Sequence, residues 1–174
     1  TVTLNGASLI TEGKAEQSTL LSFKQAVEAG AKGVEFDAFL TKDKKPVVRD
    51  NNVLSYMQDG ILKHDFISNM TLSDIKKIKL PDGQNIPTVK EALIYINQLG
   101  RDHNKELIVN LELKGVGVAA KCLESVTDVA KTYGLNKDNV YYSTFCREKL
   151  ITVRQGDSNA NIQPTIATTQ LFDK

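Results

Sequence analysis

A regular alternation of strand and helix patterns predicts an α/β fold, with a parallel sheet and helices packed outside it. Three features carry that expectation. Short β-branched runs are separated by stretches with apolar residues at helical spacing, glycine follows most of those stretches, and two strands place polar groups at every second position. The 174 residues suit one domain, and 41% hydrophobic with 25% charged residues is ordinary for a globular protein.

The elements follow in order. Val2 to Asn5 is the first strand, ended by Gly6. Thr19 through Ala29 reads as a helix with Leu20, Phe23 and Val27 on one face and Gly30 as its stop. Gly33 to Leu40 is the second strand, and a tight Lys42-Asp43-Lys44-Lys45 turn leads into Pro46-Val47-Val48, a short third strand. Residues 50–87 are less regular, although Thr71-Leu72-Ser73-Asp74 can cap a short helix carrying Ile75 and Ile78. Thr88-Val89-Lys90-Glu91 has the form of a capping box, opening a helix that carries Val89, Leu93 and Ile96 and is expected to stop at Gly100. Leu107 to Lys114 is a strong strand. A long helix from Val116 to Tyr133 has Val118, Cys122, Val126 and Val129 on one face, with Gly134 after it. Asn139 to Phe145 is a strand, Glu148 to Arg154 a helix, and Ile162 to Thr168 the last strand. Six such strands fit either a doubly wound sheet or most of a (β/α)8 barrel, which needs two more strands and about 250 residues. Periodicity does not separate the two.

Glu35 and Asp37 are two residues apart in one strand, so both point to one face. Asn110, Glu112 and Lys114 share a face of another strand in the same way. In a barrel that polar face would point inward near the C-terminal mouth, where barrel enzymes keep their sites. Three carboxylates meeting there would repel one another without a cation among them, and oxygen ligands suit Mg²⁺ or Ca²⁺. Acids at strand ends are also commonly solvated and partnered by lysines; burial separates the two readings.

The order and spacing of several motifs are similar to those of the glycerophosphodiester phosphodiesterase family. Leu4-Asn5-Gly6-Ala7-Ser8 stands where that family has His-Arg-Gly-x-Ser, and Ser18-Thr19-Leu20-Leu21-Ser22-Phe23 matches its Asn-Thr-Leu-x-x-Phe helix start. Glu35, Asp37, Thr41, Asp43, Val47 and Val48 follow its Glu-x-Asp-x-x-x-Thr-x-Asp-x-x-x-Val-Val pattern. Ile86-Pro87-Thr88 with Glu91-Ala92-Leu93, the strand Asn110-Leu111-Glu112-Leu113-Lys114, and Tyr142-Ser143-Thr144-Phe145 resemble its later motifs. The resemblance implies a (β/α)8 barrel of which this chain holds about six units, with residues 50–87 as an insertion near the mouth. It implies that Glu35, Asp37 and Glu112 bind one divalent ion, Mg²⁺ or Ca²⁺, and that Lys114 and Asn5 lie near the substrate phosphate. The implied ligand is a glycerophosphodiester or another glycerol-phosphate compound, including a polymer such as teichoic acid.

The departures fall on the residues that move protons. The family's two catalytic histidines fall on Leu4 and Asp50, its arginine on Asn5, and the aspartate after the second histidine on Asn51. Leucine has no proton to exchange. Asp50 can stand in only weakly, because a carboxyl with an ordinary pKa near 3.9 is a poor acid at neutral pH. A positioned acid or base is worth roughly 10²–10⁴ in rate, so the expectation is a weak or silent enzyme that acts as a binding or structural module. An active hydrolase with a replacement acid or base is the alternative. Only His64 and His103 remain. His64 reads as a surface residue on a turn, and His103 as exposed at the barrel's opposite end.

Other classes find little support. A net charge of +1 offers no basic face for nucleic acid, and no aromatic interleaving or glycine-rich phosphate loop is present. Apolar runs of about five residues are far short of the roughly 20 needed to cross a bilayer. Cys122 reads as a buried hydrophobe, and the two cysteines leave the redox compartment open, with an extracellular or surface setting favoured slightly over the cytoplasm. The start at Thr1 and the count of six strands lead to the expectation of a module within a larger chain or assembly.

Overall fold

A computed structural model describes residues 16–166 in full, together with the backbone of two strands at 2–4 and 7–9. Those two, β1 (Val2–Leu4) and β2 (Ala7–Leu9), pair antiparallel with Leu4 opposite Ala7. β2 therefore returns alongside β1. Asn5-Gly6, between the two, is a residue pair that two-residue hairpins favour. β1 lies against β3 (Gly33–Leu40) without joining its ladder.

The main sheet has the order β4-β3-β7-β8-β9, where β4 is Pro46–Val48, β7 Ile108–Leu113, β8 Val140–Thr144 and β9 Asn161–Pro164. β3, β7, β8 and β9 are parallel neighbours in chain order, as a barrel wall requires. β4 is not a wall strand of that kind. It folds back antiparallel on β3, because Lys42-Asp43-Lys44-Lys45 is too short for a crossover. Thr41 is buried at that turn: its hydroxyl donates to Asp43 Oδ1 at 2.7 Å and accepts from Lys45 N at 2.9 Å.

Helices cover one face of this sheet. They are α1 (Leu20–Glu28), α3 (Val89–Asp102), α4 (Val118–Tyr133) and α5 (Arg147–Gly156). Phe23, Val27, Leu93, Ile96, Val126, Val129 and Val153 from these helices share a single core with Val34, Phe36, Ala38, Val109, Leu111, Leu113 and Tyr142 from the strands. A doubly wound sheet would carry helices on both faces. Here the alternate strand positions, among them Glu35, Asp37, Asn110 and Glu112, stay outside that core. The one-sided arrangement decides for the barrel wall.

Local signals explain the helix limits. Thr19 caps α1 with its hydroxyl accepting from Ser22 N, and Thr88 caps α3 in a full capping box with Glu91. Gly134, at φ 68°, closes α4. Gly100 does not stop α3, which runs on to Asp102 with His103 as its C-cap. The glycine is there for space: a Cβ at Gly100 would lie 2.8 Å from the Lys105 carbonyl oxygen.

Residues 50–87 are more ordered than their sequence suggests. β5 (Val53–Gln58) and β6 (Ile61–Phe66) form a hairpin, and α2 (Leu72–Lys77) follows a short 3₁₀ turn. Leu54, Ile67, Met70, Ile75, Ile78, Leu80 and Ile86 make a second small core with Val47, and Phe39 packs against it. This segment therefore sits over the C-terminal end of β3, tied there by Lys42 N donating to the Met70 carbonyl at 2.8 Å and by Leu72 N donating to Asp43 Oδ1 at 2.9 Å.

Candidate metal centre

The parallel register of β3 and β7 sets Asp37 beside Glu112 and Glu35 beside Asn110. Side chains at paired positions share a face, so two acids from one strand and one from its neighbour point the same way. A carboxylate oxygen from each of Glu35, Asp37 and Glu112 lies within 4.8 Å of the others. Oxygens sharing one Ca²⁺ at about 2.3–2.6 Å stand at most about 5 Å apart, so the spacing fits a single cation. All three acids are half-buried.

Lys114 leaves the end of β7 into the same group. Its Nζ donates to Glu112 Oε1 at 2.6 Å, stands 3.8 Å from Asp37 Oδ1, and lies 5.5 Å from the centre of the Phe145 ring. Burial opposes its charge, but the hydrogen bond to Glu112 and the neighbouring carboxylates hold its pKa above the usual lysine value. One lysine does not balance three acids. Asp37 Oδ1 is buried and accepts no hydrogen bond among the described residues, and Asn110 Oδ1 is in the same condition. Burial, reinforced by Glu112, raises the pKa of Glu35. Burial lifts Asp37 to about 7, with Glu112 and Glu35 adding to the rise and Lys114 opposing it. An all-oxygen donor set with excess negative charge and an orphaned acceptor fits a hard divalent cation.

The other residues singled out in the sequence lie elsewhere. Asp50 is not among the converging carboxylates; its side chain is 44% exposed and its Oδ1 lies 3.3 Å from Arg49 Nε. Asn5 and the side chain of Leu4 lie outside the described residues. His64 is exposed, but in mid-strand on β6 and not on a turn, with its Nδ1 2.8 Å from Ser55 Oγ across the hairpin. His103 is exposed at the C-cap of α3, below the start of β7 and thus at the end opposite Glu112. Cys122 is fully buried in the helix-side core. Two neighbours of the acids carry no site role in the sequence reading. Phe145 follows β8 and is 59% exposed, two residues beyond Ser143, which is paired with Glu112. Arg49 follows β4 and donates its backbone N–H to the Asp37 carbonyl at 3.1 Å.

This acid pair two residues apart, the third acid on the adjacent parallel strand and the one-sided barrel wall match what the sequence comparison finds. The profile of the glycerophosphoryl diester phosphodiesterase family covers residues 9–173. The chain belongs to that family.

Among its relatives, a glycerophosphodiester phosphodiesterase of Caldanaerobacter subterraneus subsp. tengcongensis is 31% identical over 147 residues, which cover 80% of this chain and 56% of that protein. A glycerophosphodiester phosphodiesterase of Bacillus subtilis is 26% identical over 190 residues, covering 99% of this chain and 59% of its own length. The solved structure of an Oleispira antarctica phosphodiesterase in complex with the product sn-glycerol-3-phosphate superposes with a TM-score of 0.68 at 26% identity, over 88% of this chain and 61% of that one. A glycerophosphodiester phosphodiesterase from Parabacteroides distasonis has the same fold, with a TM-score of 0.68 at 21% identity, over 90% of this chain and 63% of the other. The chain thus spans somewhat over half the length of these family members. No helix among the described residues is long and apolar enough to cross a membrane.

Proposed function

We propose that this phosphodiesterase-family chain is a binding module: it holds one Mg²⁺ or Ca²⁺ on Glu35, Asp37 and Glu112 and, with Lys114, the phosphoryl group of a glycerophosphodiester or glycerol-phosphate compound, with little or no hydrolysis. The observation that carries this reading is the convergence of three half-buried carboxylates and a lysine with neither of the chain's two histidines among them. A bound divalent ion would supply positive charge to a phosphoryl oxygen. The chain's own residues do the rest. Glu112 orients the Lys114 ammonium through their 2.6 Å hydrogen bond, so that its remaining protons are free for an anionic oxygen. The exposed Phe145 ring bounds the place where that oxygen would sit.

Hydrolysis asks more. An attacking hydroxyl must lose a proton and a leaving alkoxide must gain one. Leu4 can do neither, and Asp50 is exposed and engaged with Arg49. Binding needs no proton transfer, so it outlasts the loss of the histidines. The Oleispira antarctica phosphodiesterase, solved with sn-glycerol-3-phosphate, supports the choice of ligand class.

Calorimetric titration of sn-glycerol 3-phosphate, with Ca²⁺ present and with the cation chelated, tests the reading. Cation-dependent binding that is lost in Glu112→Ala is expected. Binding of equal strength with the cation chelated, or in Glu112→Ala, would refute the role given to the three acids.

A further inference from the structure

We propose that Arg49 is a phosphoryl anchor of this site, its guanidinium binding an anionic oxygen of the ligand that the acids and Lys114 engage. The proposal rests on the ligand class inferred above, and its evidence comes from another part of the fold. Arg49 follows the ladder pair Ala38–Val48, and its backbone N–H donates to the Asp37 carbonyl at 3.1 Å, so it stands opposite Asp37. Opposed residues of an antiparallel pair share a face. The cores check that parity: Val48 packs into the helix-side core, whereas Val47, one residue earlier, packs into the second core with Phe39 beside it. Arg49 alternates with Val48 and so leaves the backbone on the side of Asp37 and Phe39.

Its side chain is held in, with 19% exposed, and Nε and Nη1 are buried with no hydrogen-bond partner among the described residues. Asp50 Oδ1, 3.3 Å from Nε, is near enough for attraction but does not complete a hydrogen bond. A guanidinium stays charged at any pH a protein meets, and buried donors without acceptors are costly. The three carboxylates are the claimed partners of a cation and Lys114. No acceptor among the described residues completes a hydrogen bond to these donors, and a phosphoryl group offers several charged oxygens in the geometry that a guanidinium fork matches.

The test compares the wild type with Arg49→Met and Arg49→Lys, using inorganic phosphate and sn-glycerol 3-phosphate in the presence of Ca²⁺, and Ca²⁺ alone. Loss of charge-assisted hydrogen bonds predicts that Arg49→Met weakens both phosphate probes about 10–100-fold, with Arg49→Lys in between because it keeps charge but not the fork. Ca²⁺ binding alone should be unchanged. The thermal midpoint of the ligand-free variant should not fall, because Arg49→Met removes two buried donors without acceptors and gives up only a partly exposed ion pair with Asp50, which is worth little. Unweakened phosphate binding in Arg49→Met would overturn the proposal, as would a weakening accompanied by lost Ca²⁺ binding and a lowered midpoint, which marks a structural role. If the wild type binds inorganic phosphate through Arg49 but not glycerol phosphate, the ligand reading fails and the anchor stands. If Arg49→Met binds glycerol phosphate as the wild type does, the reverse holds. A wild type that binds neither phosphate probe counts against both.

Discussion

At the scale of single residues, the metal-free site is a source of instability with a definite pH signature. Asp37 titrates at about 7 in the folded chain because burial and two neighbouring acids disfavour its charge. An unfolded aspartate titrates near 3.9. Between those values the folded chain keeps a proton that the unfolded chain has released. Metal-free stability at this residue is therefore greatest below about pH 4, falls as the pH rises to about 7, and is level above. Thermal midpoints measured in chelator from pH 4 to 8 should show that decline, superimposed on the rest of the titration. Asp37→Asn should flatten it and raise the metal-free midpoint at pH 7.5, and it should lack the midpoint increase expected when Ca²⁺ is added to the wild type. An unchanged slope in Asp37→Asn would show that the carboxylate is not strained.

At the scale of elements, two substitutions separate capping from strand packing. Thr88→Ala removes the hydroxyl that accepts from Glu91 N at 3.1 Å and should cost about 1 kcal/mol in urea denaturation, the usual worth of such a cap. Gly33→Ala puts a Cβ 2.5 Å from the Ile108 carbonyl oxygen, where two parallel strands meet. Backbone must move, so a loss of about 1–3 kcal/mol is expected, and Ca²⁺ affinity should fall with it because β3 and β7 carry the acids. A neutral Gly33→Ala would contradict the close approach of these strands. Legibility in the sequence followed the same divide. The period of two in Val34-Glu35-Phe36-Asp37 and in Leu111-Glu112-Leu113-Lys114 announced which side chains share a face, and the structure keeps those faces. The β5–β6 hairpin is hard to read from sequence, because its exposed outer face mixes Ser55, Met57, Leu62 and His64 and gives no clean alternation. Its signal was Asp59-Gly60, which sits at φ 51° and 77° as a tight hairpin turn requires. Arg49 could not be read from Pro46-Val47-Val48-Arg49 at all: only the antiparallel return of β4 sets it opposite Asp37.

At the scale of the whole molecule, the described sheet is a barrel wall with two unlike faces. Helices and one continuous apolar core hold the outer face, which leaves the inner face free to carry groups that repel one another. The acids take no part in that core, so residues around them can change without disturbing it. That independence gives a prediction about repair. Leu4→His, Asn5→Arg and Asp50→His together should confer Mg²⁺- or Ca²⁺-dependent release of alcohol from a glycerophosphodiester, whereas Asp50→His alone should give little. No gain in the triple variant would mean that the surroundings of the acids have been rebuilt as well.

The central claim is that ligand and cation binding persist where hydrolysis has been lost. A turnover assay of the wild-type chain with glycerophosphocholine and saturating Ca²⁺ or Mg²⁺, run beside calorimetric binding on the same preparation and with Glu112→Ala as the control, tests it directly. The expected result is cation-dependent binding, absent in Glu112→Ala, with release of choline no faster than in that variant. Robust cation-dependent turnover that disappears in Glu112→Ala would contradict the claim and establish the chain as a working hydrolase with an acid or base other than the lost histidines.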